Sequence, residues 1–175
     1  MDNYLLFEAT PEAEKLSKEL GFTRALFLHR DLAVISGTPK ELMAQAQRAK
    51  QKGLQVLYFA EEEKKMRFVL EKVPVDIILG MEKLFSKDSL HYPKSGLDQV
   101  LCKITAEREK AFGFSFSELL NAVNFPQLLL RMQFNLRLCK KYDVKVVFSN
   151  FSRKKGEMRS AKDLEAMFRV LRQKS

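Results

Sequence analysis

The chain has 175 residues, with 46% apolar and 30% charged side chains and a net charge of +9. That length and balance describe a globular fold with a real core rather than a disordered chain. No apolar run approaches the ~18 residues a membrane helix needs, so no membrane contact is expected.

The charge is not spread evenly. Residues 1–130 hold 18 basic and 18 acidic residues; residues 131–175 hold 13 basic and 4 acidic. A neutral body with a basic end is the footprint of a polyanion partner. The N-terminus MDNYLLFEATPEAEK lacks a basic n-region, so no signal peptide is expected. Cys102 and Cys139 have no C-x-x-C spacing and fall in helical segments, which points to buried thiols in a reducing cytoplasm.

In chain order, Tyr4–Ala9 reads as a strand. Glu12–Leu20 is a short helix capped by Thr10 and ended by Gly21. Arg24–Leu28 and Leu32–Ser36 read as strands. Thr38 caps a helix from Pro39 to Lys52, stopped by Gly53. Gln55–Ala60 is a strand, Glu62–Lys72 a helix, and Val75–Gly80 a strand apolar enough to be covered on both faces. Leu97–Lys110 follows as a helix, Ala111–Phe116 as a strand, Gln127–Tyr142 as a long helix, Lys145–Ser149 as a strand and Asp163–Arg172 as the last helix. About seven strands alternating with about six helices predict an α/β fold with a parallel sheet, over a single domain 1–175. A trimmed TIM-like barrel or an open doubly wound sheet both fit; a full barrel takes ~250 residues. In both, ligands meet the loops after the C-terminal ends of strands.

Most catalytic chemistry finds no motif. HRDLAVIS, His29–Ser36, starts like a kinase catalytic loop but has Ser36 where Asn is needed. No P-loop or G-x-G-x-x-G occurs. With two histidines, a metal site would have to use His29, Asp31, Asp76 and His91; Asp76, at a strand start, reads better as a cap or surface charge. No metal, cofactor or catalytic residue is expected.

Three basic segments remain. In HYPKSGLDQVL, Ser95 and Asp98 form an S-x-x-D cap, with Gly96 in the first turn and Lys94 beside it. Free N–H groups there could receive a phosphate. In FSNFSRKKGEMRSAKDLE, the cations Arg153, Lys154, Lys155 and Arg159 lie between a strand and a helix. Gly156 frees the turn, and Ser160 and Asp163 repeat the cap. Four clustered cations repel one another, so phosphate contact is the better account of them. In RMQFNLRLCKKYDVK, Met132, Leu136 and Cys139 mark a core stripe, while Arg137, Lys140 and Lys141 lie off it. Lys140 and Lys141 also suit the helix C-terminus. Basic loops without an aromatic platform favour backbone contact, so the expected target is structured RNA read by shape.

SGLDQVLCKITAEREKAFGFSFSELL, RMQFNLRLCKKYDVKVVFSN and MRSAKDLEAMFRVL, in that order and after VDII, resemble ribonuclease P protein component 3. This is the archaeal counterpart of a conserved subunit of nuclear ribonuclease P and MRP. The diagnostic pieces are Ser95–Leu101, Arg137–Tyr142 and Arg159-Ser160; the family usually has Asn where Asp98 stands. The resemblance covers residues 75–171, and residues 1–74 only in strand–helix order. It implies a TIM-barrel-like fold related to metal-dependent phosphoesterase barrels but without their ligands. It implies a protein not catalytic by itself, supporting the RNA that removes the 5′ leader of precursor tRNA. The implied partners are ribonuclease P RNA, precursor tRNA indirectly, and the small ferredoxin-like component 2. Lys94, Ser95, the Arg137–Lys141 helix end and the Arg153–Ser160 loop are then expected on one face of the barrel. A free-standing barrel phosphoesterase and a basic protein-interaction scaffold are the alternatives.

Overall fold

The computed structural model describes residues 1–173. The chain runs β1 (Asp2–Leu5), α1 (Pro11–Glu19), β2 (Arg24–Phe27), β3 (Leu32–Ile35), α2 (Pro39–Gln51), β4 (Gln55–Phe59), α3 (Glu63–Lys72), β5 (Ile77–Leu79), α4 (Gln99–Glu107), β6 (Ala111–Ser115), α5 (Phe116–Leu120), α6 (Phe125–Lys141), β7 (Lys145–Ser149) and α7 (Ala161–Arg172). Every strand pair is parallel. β1 pairs with β2, and β3 to β7 form a five-stranded sheet in chain order.

Two seams separate these ladders, and each is bridged. Leu28 bridges Leu32 between β2 and β3, and Leu5 bridges Ser152 beyond β7. At the second seam Leu6 N–H donates to Ser152 O at 2.8 Å, Tyr4 N–H donates to Ser149 Oγ at 2.9 Å, and Ser149 Oγ donates to Asp2 O at 3.1 Å. Side chains thus replace ladder bonds, and the strands form a ring.

The alternation of strand residues sorts two cores. Tyr4, Leu26, Leu32, Leu57, Ile77, Leu79, Ala111 and Phe151, with Val147 against them, make one cluster inside the ring. Val56, Tyr58, Ile78, Phe112, Phe114 and Phe148 face outward and pack against helix residues such as Leu42, Met66, Met132 and Leu164. The inner space is narrow. A Cβ on Gly113 would sit 2.8 Å from both Ile77 Cγ2 and Leu79 Cδ2.

Some expectations shift. β1 begins at Asp2 and ends at Leu5 rather than spanning Tyr4–Ala9. The polar Asn3 is admitted because its side chain is bonded to Ser17 and Asn150. β2 and β3 follow each other without a helix, as read from the sequence. Asp31 makes the turn instead: its carboxylate accepts from Phe27 N–H and its own N–H donates to Phe27 O. α5 is five residues long, too short for a periodic signal. The long helix starts at Phe125, with Asn124 as cap and Pro126 in the first turn. The caps at Thr10, Thr38 and Ser160 stand as read. Cys102 and Cys139 are free and buried, their thiols pushed up to about 12 by desolvation. No helix among the described residues is long and apolar enough to cross a membrane.

Candidate nucleic-acid interface

β7 ends at Ser149, and Asn150 organises the loop beyond it. This asparagine is fully buried. Its amide donates to Asn3 Oδ1 at 2.9 Å and to Arg159 O at 3.1 Å, and its oxygen accepts from Arg159 N–H at 3.0 Å. The loop 151–160 is therefore pinned at both ends by one side chain. Phe151 adopts φ 45, which turns its ring into the barrel against Tyr4 at 5.2 Å. Met158 is buried beside Leu5, Ala13 and Phe27.

The cations on this loop are not equivalent. The Arg153 guanidinium lies 5.2 Å over the Phe59 ring at the mouth of the barrel, while the backbone N–H of Arg153 donates to Glu157 Oε2. Lys154 is exposed and makes no ion pair among the described residues. Lys155 pairs with Glu12 at 2.6 Å, and its hydrogen bond and charge hold that carboxyl below its usual range. Arg159 Nη1 donates to Met158 O at 2.9 Å and Gly156 O at 3.2 Å, so this arginine mostly shapes the loop. Gly156 lies outside the left-handed region and meets nothing within 4 Å, so the turn does not require it. Ser160 caps α7 in a reciprocal box with Asp163. Its N–H and those of Ala161 and Asp163 are all taken, by Asp163 Oδ2, Leu20 O and Ser160 Oγ. A phosphate would find few free donors at that helix start.

Lys94 and Ser95 lie on the loop between β5 and α4, tied down by Arg131. That buried guanidinium donates from Nε to Asp88 Oδ1 at 2.7 Å and from Nη1 to Phe85 O at 2.6 Å and Glu82 O at 3.1 Å. Burial alone would raise the Asp88 carboxyl. Donors from Gln127, Arg131 and the Lys94 N–H outweigh that and hold it low. The Lys94 ammonium is exposed, 4.1 Å over the Phe85 ring. Ser95 does not cap the helix. Its hydroxyl donates to Asn135 Oδ1, and the cap is Asp98, which accepts from Leu101 N–H at 2.8 Å. The helix therefore starts at Gln99, and a carboxylate stands where a phosphate was expected. Gly96 is required by packing: a Cβ there would collide with Leu84 Cδ1.

Arg137, Lys140 and Lys141 fall elsewhere. α6 must return antiparallel between the parallel strands β6 and β7, so it starts at the C-terminal rim and ends at the N-terminal rim. Its 17 residues span roughly 25 Å. The expected single face is therefore corrected. Lys94 and the Arg153–Ser160 loop share one end of the barrel, and Lys140 and Lys141 lie at the other. Periodicity assigned these cations to the helix surface but carried no information about which rim its end would reach.

The candidate metal residues do not converge. Asp76 sits at the N-terminal rim, accepting from Val56 N–H at 2.6 Å and pairing with Lys50, whereas His91 lies on the loop at the opposite rim. No group of three or more His, Cys, Asp or Glu among the described residues could hold a metal. Instead the mouth of the barrel is lined by Phe59, Leu79, Glu82, Lys83, Glu118 and Arg153. Lys83 pairs with Glu118, and Glu82 is buried with one carboxyl oxygen unpartnered. No local pattern marks Glu82; it sits directly after Gly80-Met81 in what reads as an ordinary polar loop.

No protein-family model matches the chain. Ribonuclease P protein component 3 of Methanocaldococcus jannaschii is 34% identical over 107 residues, which are 60% of this chain and 43% of that protein. The match thus spans less than half of that relative. Among solved structures, a chain of archaeal ribonuclease P with mature tRNA, seen by cryo-EM, superposes with a TM-score of 0.78 at 23% identity, covering 99% of this chain and 83% of that one. A Xaa-Pro dipeptidase gives 0.52 at 13% identity, covering 86% of this chain and 38% of that one. The resemblance read from the motifs is thereby borne out: the chain has the TIM-barrel-like fold of an archaeal ribonuclease P protein and is similar in sequence to ribonuclease P protein component 3.

Proposed function

We propose that this protein is a non-catalytic, RNA-binding subunit of ribonuclease P, supporting the catalytic RNA in removing the 5′ leader of precursor tRNA. The observation that carries this reading is the 34% identity over 107 residues to ribonuclease P protein component 3. The concentration of the positive charge in the last 45 residues supports it, as does the exposed cationic loop at the C-terminal rim. Ribonuclease P RNA is the direct partner, and the small ferredoxin-like component 2 is the protein partner. The two free, buried thiols suit work in a reducing cytoplasm. Arg153 and Lys154 are the principal phosphate contacts of the loop. Lys155 joins them by exchanging Glu12 for phosphate, an exposed pair that costs little to break. Lys94 adds a charge at the same end.

The test is reconstitution of ribonuclease P RNA with component 2, with and without this protein, reading precursor-tRNA cleavage at moderate Mg²⁺. Stimulation that needs both proteins and the RNA is expected; cleavage by the protein alone would sink the non-catalytic reading. R153A/K154A/K155A should weaken RNA binding and flatten the log–log salt slope by about two to three units, close to one per lost phosphate contact. Because Arg159 serves the backbone, R159A should add less than a unit.

A further inference from the structure

We propose that the groove between α6 and α7, at the opposite end of α6 from the Arg153 loop, is a second RNA site that seats one unstacked nucleotide. The inference rests on the RNA-binding reading and adds a place and a ligand class to it.

The groove encloses about 440 Å³, the size of a small-ligand site. Its floor is apolar, made by Leu136, Val144, Val146, Phe168 and Leu171, and its rim carries Arg137, Lys140 and Arg172. Arg137, Lys140 and Arg172 are exposed, and none makes an ion pair among the described residues. Asp143 is the one acidic residue of the lining. Helix dipoles account for Lys140 and Arg172, each in the last turn of its helix. They do not account for Arg137, a turn earlier, nor for the partly exposed Val146 and Phe168 between three cations.

The parts match a nucleotide. Phe168 stacks on Phe148 at 5.2 Å and 15°, and the Arg172 guanidinium lies 5.4 Å from the Phe168 centroid. That planar guanidinium can stack on a base or fork onto a phosphate. Arg137 and Lys140 stand ready for the flanking phosphates. An acidic amphipathic helix would need apolar anchors over several turns, at i, i+3, i+4 and i+7. The compact seat with three charges fits a base and its phosphates better.

The experiment uses the full chain and three RNAs: an unstructured oligouridylate, a duplex of equal length, and ribonuclease P RNA. R137Q/K140Q/R172Q should weaken oligouridylate binding tenfold or more and flatten its salt slope by about two units, at ~0.7 per phosphate on single strands. The duplex should be affected much less. R172K keeps the charge but loses the plane, so it should weaken oligouridylate binding several-fold with the slope unchanged. An oligonucleotide carrying 4-thiouridine should photocrosslink to residues 136–146 or 168–173. Equal loss for single strand and duplex would overturn the nucleotide seat in favour of a plain basic surface. Crosslinks confined to 153–160, or a polyglutamate probe captured in place of RNA, would overturn the site. If the groove variants change nothing while R153A/K154A/K155A weakens ribonuclease P RNA binding, the groove is wrong and the subunit reading stands. If neither set affects any RNA, the subunit reading fails as well.

Discussion

Glu82 concentrates the physics of a single side chain. It is 1% exposed, with Oε2 unpartnered. Desolvation pushes its carboxyl from an ordinary 4.5 to about 7, although its own backbone N–H and Lys83 act against the rise. A raised carboxyl binds its proton more tightly in the folded state. Its contribution is therefore full below pH 4.5 and is lost as pH rises through about 7. Above that, the folded state must hold a buried charge or release it. E82Q keeps the shape and removes the titration. Urea unfolding should show E82Q more stable than the parent at pH 8 by about 3 kcal/mol, and close to it at pH 4.5. Equal gains at both pH values would mean the carboxylate is not the source.

At the scale of elements, helix ends are finished by residues distant in sequence. α3 ends against Lys110, whose buried ammonium donates to Val69 O at 3.1 Å, Val73 O at 2.8 Å and Leu70 O. Burial pulls that ammonium down to about 8. Val69 O and Val73 O also accept from the N–H groups of Val73 and Val75, so Leu70 O is the carbonyl that depends on the lysine, a cap supplied by the residue before β6. K110M should destabilise the protein by about 1–3 kcal/mol, because Leu70 O is left unpaired in the interior and two further carbonyls lose their second donor. Hydrogen exchange should speed up mainly over residues 69–75. A uniform rise across the sheet would argue for general loss of packing instead.

For the whole molecule, the decisive feature is how the ring closes. The seam between β7 and β1 is held by Ser149, Asn150, Asn3 and Ser152 rather than by a full ladder. Asn150 joins that seam to the basic loop. N150A should cost about 2–4 kcal/mol, since Asn3 Oδ1 loses a buried partner and both backbone groups of Arg159 lose part-buried ones. It should also weaken RNA binding while leaving the salt slope unchanged, because no cation is removed but the loop is no longer fixed. A thermal melt and a salt titration on the same variant check both parts. A flattened slope would mean the loop charges had been lost from the interface outright.

The β-α order was legible in the sequence because each signal is local: apolar alternation in a strand, a 3.6-residue stripe, and a cap three residues before the N–H it accepts from. Thr10, Thr38 and Ser160 stand where that grammar put them, and Lys145–Ser149 is a strand with the bounds expected. The segregation of charge into the last 45 residues was a matter of counting. Ser95 escaped the same grammar. Asn135, 40 residues away, offers its hydroxyl a better partner, and Asp98 takes the cap. Whether Lys140 lies beside Arg153 or a helix length away depends on the crossover returning antiparallel, which no local pattern encodes. Asn3 and Asn150, 147 residues apart, look like ordinary polar positions until ring closure brings them together. The sequence by itself determined most of the elements and where along the chain the positive charge lies. The tertiary structure decided which cations share an end, because only packing of the helices around the closed strand ring fixes long-range neighbours.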